Sequence, residues 1–514
     1  MTTLENPTSS IINSNINPNS IFGSTSLSKE ENDDVRKMIS YKKEDFREDI
    51  RKSKTNSALQ QKRIRVFKQN AIQKCEEQCQ ESLQIFYKAE KESNLEQLQL
   101  SISKMKELSQ EQRSQRYLLN TDVVKYLCVL VGPGFRQYNQ LQIDVCWILA
   151  NLSCEPSFNL QKYENLPKEL IQNLLMLLDA EKIESINAAF WCLSNLAGDP
   201  NYTQIIYEAN VIGKITSILE QKKFNEEIIC QISYTYLNIT DQIKTMDEKS
   251  VQLILSTINE FSDIKNDEII FNLIRIINNI AKEEKNAQIL RTQFNSKLMN
   301  LIFLIFATHN HYYLESILEC VGNLIHLNES FARVILEKGF NQSLVICLET
   351  KEKSIRKRAG WVISNILSCS QQDIDEIFNY SALLNKILTL IVIDTLEVKS
   401  VLLQGLFNAL EKATKEQISN LIKKDFIQVL YNVLKEENNE YLIIKCIDIL
   451  NILLTFDREN QLDGEQQESL VFNQLSNTGL IEIIQNLQIH SSDLVYNKIV
   501  KLINDFFDFE ESSE

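Results

Sequence analysis

Along most of this chain apolar residues recur three and four positions apart, the spacing that gives a helix one buried stripe. Val145, Ile148, Leu149 and Leu152 follow it, as do Ala189, Cys192, Leu193 and Leu196, and again Ala359, Val362, Ile363 and Ile366. From about residue 85 onward the pattern predicts one apolar helix after another, separated by short polar breaks. An earlier helix, such as Leu170–Leu178 or Val211–Leu219, precedes each striped one. Turn formers are scarce: 11 glycines and 6 prolines in 514 residues leave little scope for hairpins and predict an all-α protein. Residues 1–28 are rich in Ser, Asn and Thr with little to bury, which predicts disorder.

The striped helices also repeat. Asparagines fall at Asn151, Asn195, Asn238, Asn279, Asn323, Asn365, Asn408 and Asn451, with successive differences of 44, 43, 41, 44, 42, 43 and 43. That period is the one found in HEAT and armadillo arrays, whose stacked units share a continuous core. The surroundings recur too, in CWILANLS, FWCLSNLAGDP, CVGNLIHLNE and GWVISNILS. Trp147/Asn151, Trp191/Asn195 and Trp361/Asn365 are pairs four residues apart, side by side on one helix face at the edge of the core stripe. All three tryptophans of the chain sit in this ladder. In the last unit Lys445 stands at a position that is apolar elsewhere.

Charge is unevenly spread. The net charge is −15, but residues 42–68 hold ten basic and four acidic residues, so a +6 arm adjoins a remainder of −21. An acidic body predicts basic partners and argues against direct nucleic-acid binding. The eleven cysteines include no C-x-x-C, and Cys192, Cys230, Cys320 and Cys446 fall in apolar runs, as reduced core thiols do. No signal-peptide pattern opens the chain, and the apolar runs at 298–307 and 387–393 are too short to span a bilayer, so a soluble intracellular protein is expected. His309-x-His311 has no third metal ligand nearby, Cys75 and Cys79 share a helix face as unreactive thiols, and Gly132-Pro133-Gly134 is expected to turn between repeats. No nucleophile, base and acid form a catalytic set, so no enzyme activity, cofactor or metal is expected.

The ladder has two readings. Asparagine offers a donor and an acceptor, so a row of them can hold the backbone of an extended peptide without reading its sequence. Indoles beside them can take the stem of a Lys or Arg, with about 0.5–2 kcal/mol of cation–π attraction each. Asp144 and Asp199, near the slot ends, would then select positive charge. Alternatively, Trp and Asn fill the space between repeats.

FWCLSNLAGDP and IRKRAGWVISNILSCSQQ resemble the Asn-bearing helices of importin-α, and GLIEIIQNLQIHSSDLVYNKIVKLINDFF is similar to that family's last repeat. The resemblance covers roughly residues 42–510. It implies a right-handed superhelical solenoid of about ten armadillo repeats with a flexible basic N-terminal arm, and a nuclear import adaptor that shuttles between cytoplasm and nucleus. It further implies a major signal-peptide site at Trp147, Asn151, Trp191, Asn195, Tyr234 and Asn238 with Asp199, and a minor site at Asn323, Glu329, Trp361, Asn365 and Asn408. Tyr234, Gln404 and Glu319 depart from the family pattern, and Arg358 and Val401 stand where it is usually acidic, so the minor site is expected to be weak.

The arm also resembles the family's importin-β-binding segment, through Ile50, Arg51, Lys52, Lys54, Leu59, Lys62, Arg63 and Arg65. Read alone, it is either a bland segment (a solvated helix or a nucleic-acid patch) or a partner-binding helix. The implied partners are basic signal-bearing cargo, importin-β and a nuclear export receptor for recycling, with no membrane. Glu44, Asp45, Glu48 and Asp49 dilute the arm, which predicts weak self-inhibition. The expected division is a tail over 1–28, an arm over 29–70, a solenoid over 71–505 and an acidic tail over 506–514. The rival reading is an armadillo scaffold with other ligands and no transport role.

Overall fold

The structure, a computed structural model, describes residues 73–507 apart from 294–295, 309–310, 437 and 463–468. The basic arm from Ile50 to Arg65, both tails' outer residues and His309 lie outside the described residues. The chain forms two compact units, residues 1–81 and 82–514. In the first, the described residues 73–81 are helical.

In the second unit, ten of the described helices stand in single file, each packed on the next. They are α1 (Leu95–Leu108), α2 (Asn139–Leu152), α3 (Ile183–Ala197), α4 (Glu226–Gln242), α5 (Asp267–Lys282), α6 (His311–Leu327), α7 (Lys353–Leu367), α8 (Leu396–Lys412), α9 (Glu440–Leu462) and α10 (Asp493–Phe506). The eight repeating asparagines lie one on each helix from α2 to α9. Behind this file runs a second, in which Val123–Leu130 packs on Leu166–Leu177, and Ser381–Ile393 on both Phe340–Glu349 and Phe426–Glu436. This is an all-α armadillo-repeat solenoid, and all the residues of the three stripes are buried. Burying a Leu, Ile or Val side chain is worth about 1.5–3 kcal/mol, so the shared seam between files is what holds one repeat to the next.

The structure adds an element that the apolar spacing does not reveal. Most repeats open with a short helix, such as Pro200–Glu208, Ser330–Glu337, Gln371–Asn379 or Lys415–Ile422. Helices of eight or nine residues show barely two turns of periodicity, but three of these four carry explicit caps. Asp199 caps Pro200–Glu208, and Ser370 with Asp373 and Thr414 with Gln417 form capping boxes. Gly132-Pro133-Gly134 corrects one expectation: its 3-10 turn joins Val123–Leu130 to α2 inside a repeat, not between repeats. Lys445 keeps its place in the stripe by sliding its ammonium over the Phe407 ring, 4.1 Å from the centroid. No single described helix is long and apolar enough to cross a membrane.

Candidate functional site

The ladder exists, and its asparagines from Asn151 to Asn365 share one job. Asn195 Nδ2 donates to the Ala150 carbonyl, Asn238 Nδ2 to Ser194 and Asn365 Nδ2 to Gly322, at 2.9, 2.9 and 3.0 Å. In each case the acceptor is the residue just before the asparagine of the preceding repeat. Asn323 reaches Asn278 Oδ1 at 2.8 Å, and Asn151 reaches Ser109 Oγ at 2.9 Å. Each carboxamide therefore ties its repeat to the one before, which gives substance to the space-filling reading. The tie uses only the amide nitrogen. Among the described residues nothing donates to Oδ1 of Asn151, Asn195 or Asn238, so those acceptors still face outward. Asn408 differs: its Oδ1 accepts from Gln404 Nε2 at 2.6 Å, and Gln404 Oε1 accepts from Tyr441 at 2.9 Å.

All three indoles are half-buried on the same face. Trp147 and Trp191 touch, with ring centroids 5.1 Å apart and planes at 42°. A methylene chain between two rings needs about 7–8 Å, two van der Waals contacts, so the expected slot between this pair is closed. The open face is on the other side of Trp191. There a groove of about 650 Å³ is lined by Trp191, Asn195, Tyr234 and Asn238 together with Glu226, Glu227 and Glu268. No Lys or Arg lines it.

Those three glutamates were not anticipated, and local structure explains their placement. Asn225 and Asn266 cap α4 and α5, each accepting backbone N–H groups, and so put Glu226, Glu227 and Glu268 in first turns, where the helix dipole favours negative charge. Each carboxylate is oriented by a neutral donor. Asn266 Nδ2 donates to Glu226 at 3.2 Å, Asn187 Nδ2 to Glu227 at 2.7 Å, and the Tyr234 hydroxyl to Glu268 at 2.5 Å. Burial, and then the Glu268 carboxylate, pushes the Tyr234 phenol up to about 12. The same two causes push the Cys230 thiol up to about 11. Cys230 is thus protonated at neutral pH and, contrary to the expectation of a core residue, half-buried in the groove wall. A signal for the glutamates exists in the chain. Glu184, Glu227, Glu268, Glu397 and Glu440 all stand 11 residues before a ladder asparagine, three helical turns up the same face.

The two acids singled out from sequence are otherwise engaged. Asp144 is buried, paired with Lys106 Nζ at 2.8 Å, and accepts from Gln99 and Gln140 at 3.1 and 3.0 Å. It neutralises the chain's own lysine and does not select a ligand's. Asp199 Oδ1 accepts from the Asn201 backbone and side-chain nitrogens, both at 2.9 Å, so its main task is the helix cap.

Farther along, Trp361 lies flat on Gly322, where a Cβ would come within 2.1 Å of Cζ3. Its groove, of about 610 Å³, also takes in Asn323, Lys353, Lys357, Arg358 and Glu397. Lys353 sits 2.7 Å from Glu397 and holds that carboxyl down to about 2. Glu329 is exposed and makes no cap hydrogen bond to the helix it precedes. Among the described residues no cluster of His, Cys, Asp and Glu could hold a metal ion.

No protein family and no curated protein matches the sequence. Solved structures do resemble the fold. The crystal structure of an engineered protein matches with a TM-score of 0.65 at 14% identity, covering 83% of this chain and 98% of that one. A structure from work on the phosphorylation switch controlling the interaction between cadherin and β-catenin matches with a TM-score of 0.52 at 12% identity, covering 85% and 96%. A designed armadillo repeat protein in complex with the peptide (KR)4 reaches 0.42 at 17% identity over 49% of this chain and 99% of that one, too slight a likeness to bear on function. At these identities the likeness carries the fold alone.

Proposed function

We propose that this chain is an import adaptor of the importin-α kind, which holds an extended Lys/Arg-rich segment in the groove between Trp191 and Tyr234. One observation carries the reading: three carboxylates and no cation line a groove flanked by an indole, a phenol and two asparagines with free carbonyl oxygens. A Lys or Arg stem would lie against the open face of Trp191, its charge near Glu227 and Glu268. Oδ1 of Asn195 and Asn238 would accept from the peptide backbone. The resemblance of FWCLSNLAGDP to importin-α and the basic residues from Arg51 to Arg65 support the transport role, with importin-β as the second partner and an export receptor for recycling.

The test is a titration of a fluorescent Lys-rich signal peptide against the full chain and Trp191→Ala. Tight binding that falls about thirtyfold in the variant, as removal of a central aromatic anchor does, supports the adaptor. A wild-type chain that ignores the peptide would leave an armadillo scaffold for other protein ligands. Removing residues 1–68 should raise peptide affinity only slightly, because Glu44, Asp45, Glu48 and Asp49 weaken the arm as a competitor.

A further inference from the structure

The ladder face changes sign along its length. The Trp361 groove is lined by Lys282, Lys353, Lys357 and Arg358 against Glu315, Glu319 and Glu397. Every one of those carboxylates is already held by a cation of the chain. Lys282 meets Glu319 at 2.9 Å, Arg358 meets Glu315 at 3.1 Å and Glu319 at 3.5 Å, and Lys353 meets Glu397 at 2.7 Å. Lys357 is exposed and, among the described residues, makes no ion pair. An arriving Lys or Arg would have to break one of these pairs to find a carboxylate. An arriving carboxylate finds Lys357 free, and Arg358 and Lys353 with N–H donors to spare. In the Trp191 groove the balance is reversed, since its three carboxylates meet neutral donors only.

We infer that the Trp361 groove binds an extended acidic peptide segment of a partner protein. The segment's Asp or Glu carboxylates reach Lys357, Arg358 and Lys353, and its backbone runs past Asn323 and Asn365. The same stacked helices would thereby hold a basic segment on α3 and α4 and an acidic one on α6 and α7. Opposite polarity gives each groove its own ligand and prevents either from occupying the other's place.

The experiment uses the full chain and two labelled octapeptides, one of Asp and Glu, the other of Lys and Arg. The acidic peptide should bind the wild type, lose about tenfold in affinity on Lys357→Glu, and weaken as salt rises. Trp191→Ala should leave it unchanged. Lys357→Glu, which alters an exposed side chain and should leave the circular dichroism spectrum intact, should not reduce binding of the basic peptide. The inference is overturned if the acidic peptide does not bind, if Lys357→Glu does not weaken it, or if single-stranded RNA displaces it with higher affinity. Failure of the basic peptide alone would overturn the adaptor reading and leave this one standing.

Discussion

At the scale of single residues, one carboxamide serves two ends. Asn195 and Asn238 spend a nitrogen on the preceding repeat's backbone and leave an oxygen that the proposed function gives to a ligand. Replacing Asn195 by Ala should therefore cost both stability and peptide affinity. The lost hydrogen bond is worth about 0.5–1.5 kcal/mol, readable as a lowered urea midpoint, and the Ala150 carbonyl it leaves still accepts from the Ser153 hydroxyl at 2.8 Å. Gly322 gives a second case. Ala in a helix interior usually gains roughly 0.8–1.0 kcal/mol over Gly, but here a Cβ would strike the Trp361 ring. Gly322→Ala should show no such gain and should shift the tryptophan emission as the indole is pushed toward solvent. Gly322→Ala with unaltered emission and higher stability would contradict the flat seat of Trp361.

At the scale of elements, helix starts carry more than their share. The caps Asn225 and Asn266 fix both the first turns of α4 and α5 and the glutamates that line the groove. Asp247 shows the electrostatic side of a cap. Its carboxylate accepts from Ser250 N at 2.9 Å and Oγ at 2.6 Å, and from the Tyr207 hydroxyl at 2.6 Å. Ser250 first, and then Tyr207, holds its acid down to about 2, from 3.8. A carboxyl depressed by folding stabilises fully above its unfolded value and loses that contribution as pH falls through the folded one. Asp247→Asn keeps the cap to Ser250 N but takes the Oδ2 acceptor from both hydroxyls, so the melting temperature should fall at pH 7, and the gap to the wild type should narrow between about pH 4 and pH 2.

At the scale of the whole molecule, the solenoid turns repetition into position. A residue at one register on every helix becomes a row, and changing its identity from helix to helix writes a pattern of charge along that row. The position filled by Trp147, Trp191, Tyr234 and Trp361 is filled by Arg275 on α5, which lines neither groove, and by Glu319 on α6, in the wall of the Trp361 groove. Because nearest neighbours share the core, a defect in one rung should propagate weakly. Trp361→Ala should alter acidic-peptide binding while leaving basic-peptide binding at the Trp191 groove within twofold, as measured by the same titrations.

The sequence by itself determined the repeat, the helical stripes and the registry of the ladder. Val145, Ala189 and Ala359 could be assigned to the core, and Trp191 and Asn195 to one face, because helical geometry fixes which residues within about four positions are neighbours. Tertiary structure decided which charges remain available. Lys106 pairs with Asp144 across 38 positions, Tyr234 reaches Glu268 across 34, and Arg358 reaches Glu315 across 43. Those partners belong to adjacent repeats, and no periodicity within a helix predicts which side chain of the next repeat a carboxylate will meet. Packing therefore removed Asp144 from the candidate site, supplied Glu226, Glu227 and Glu268 to the Trp191 groove, and left Lys357 as the unpaired cation, among the described residues, of the Trp361 groove.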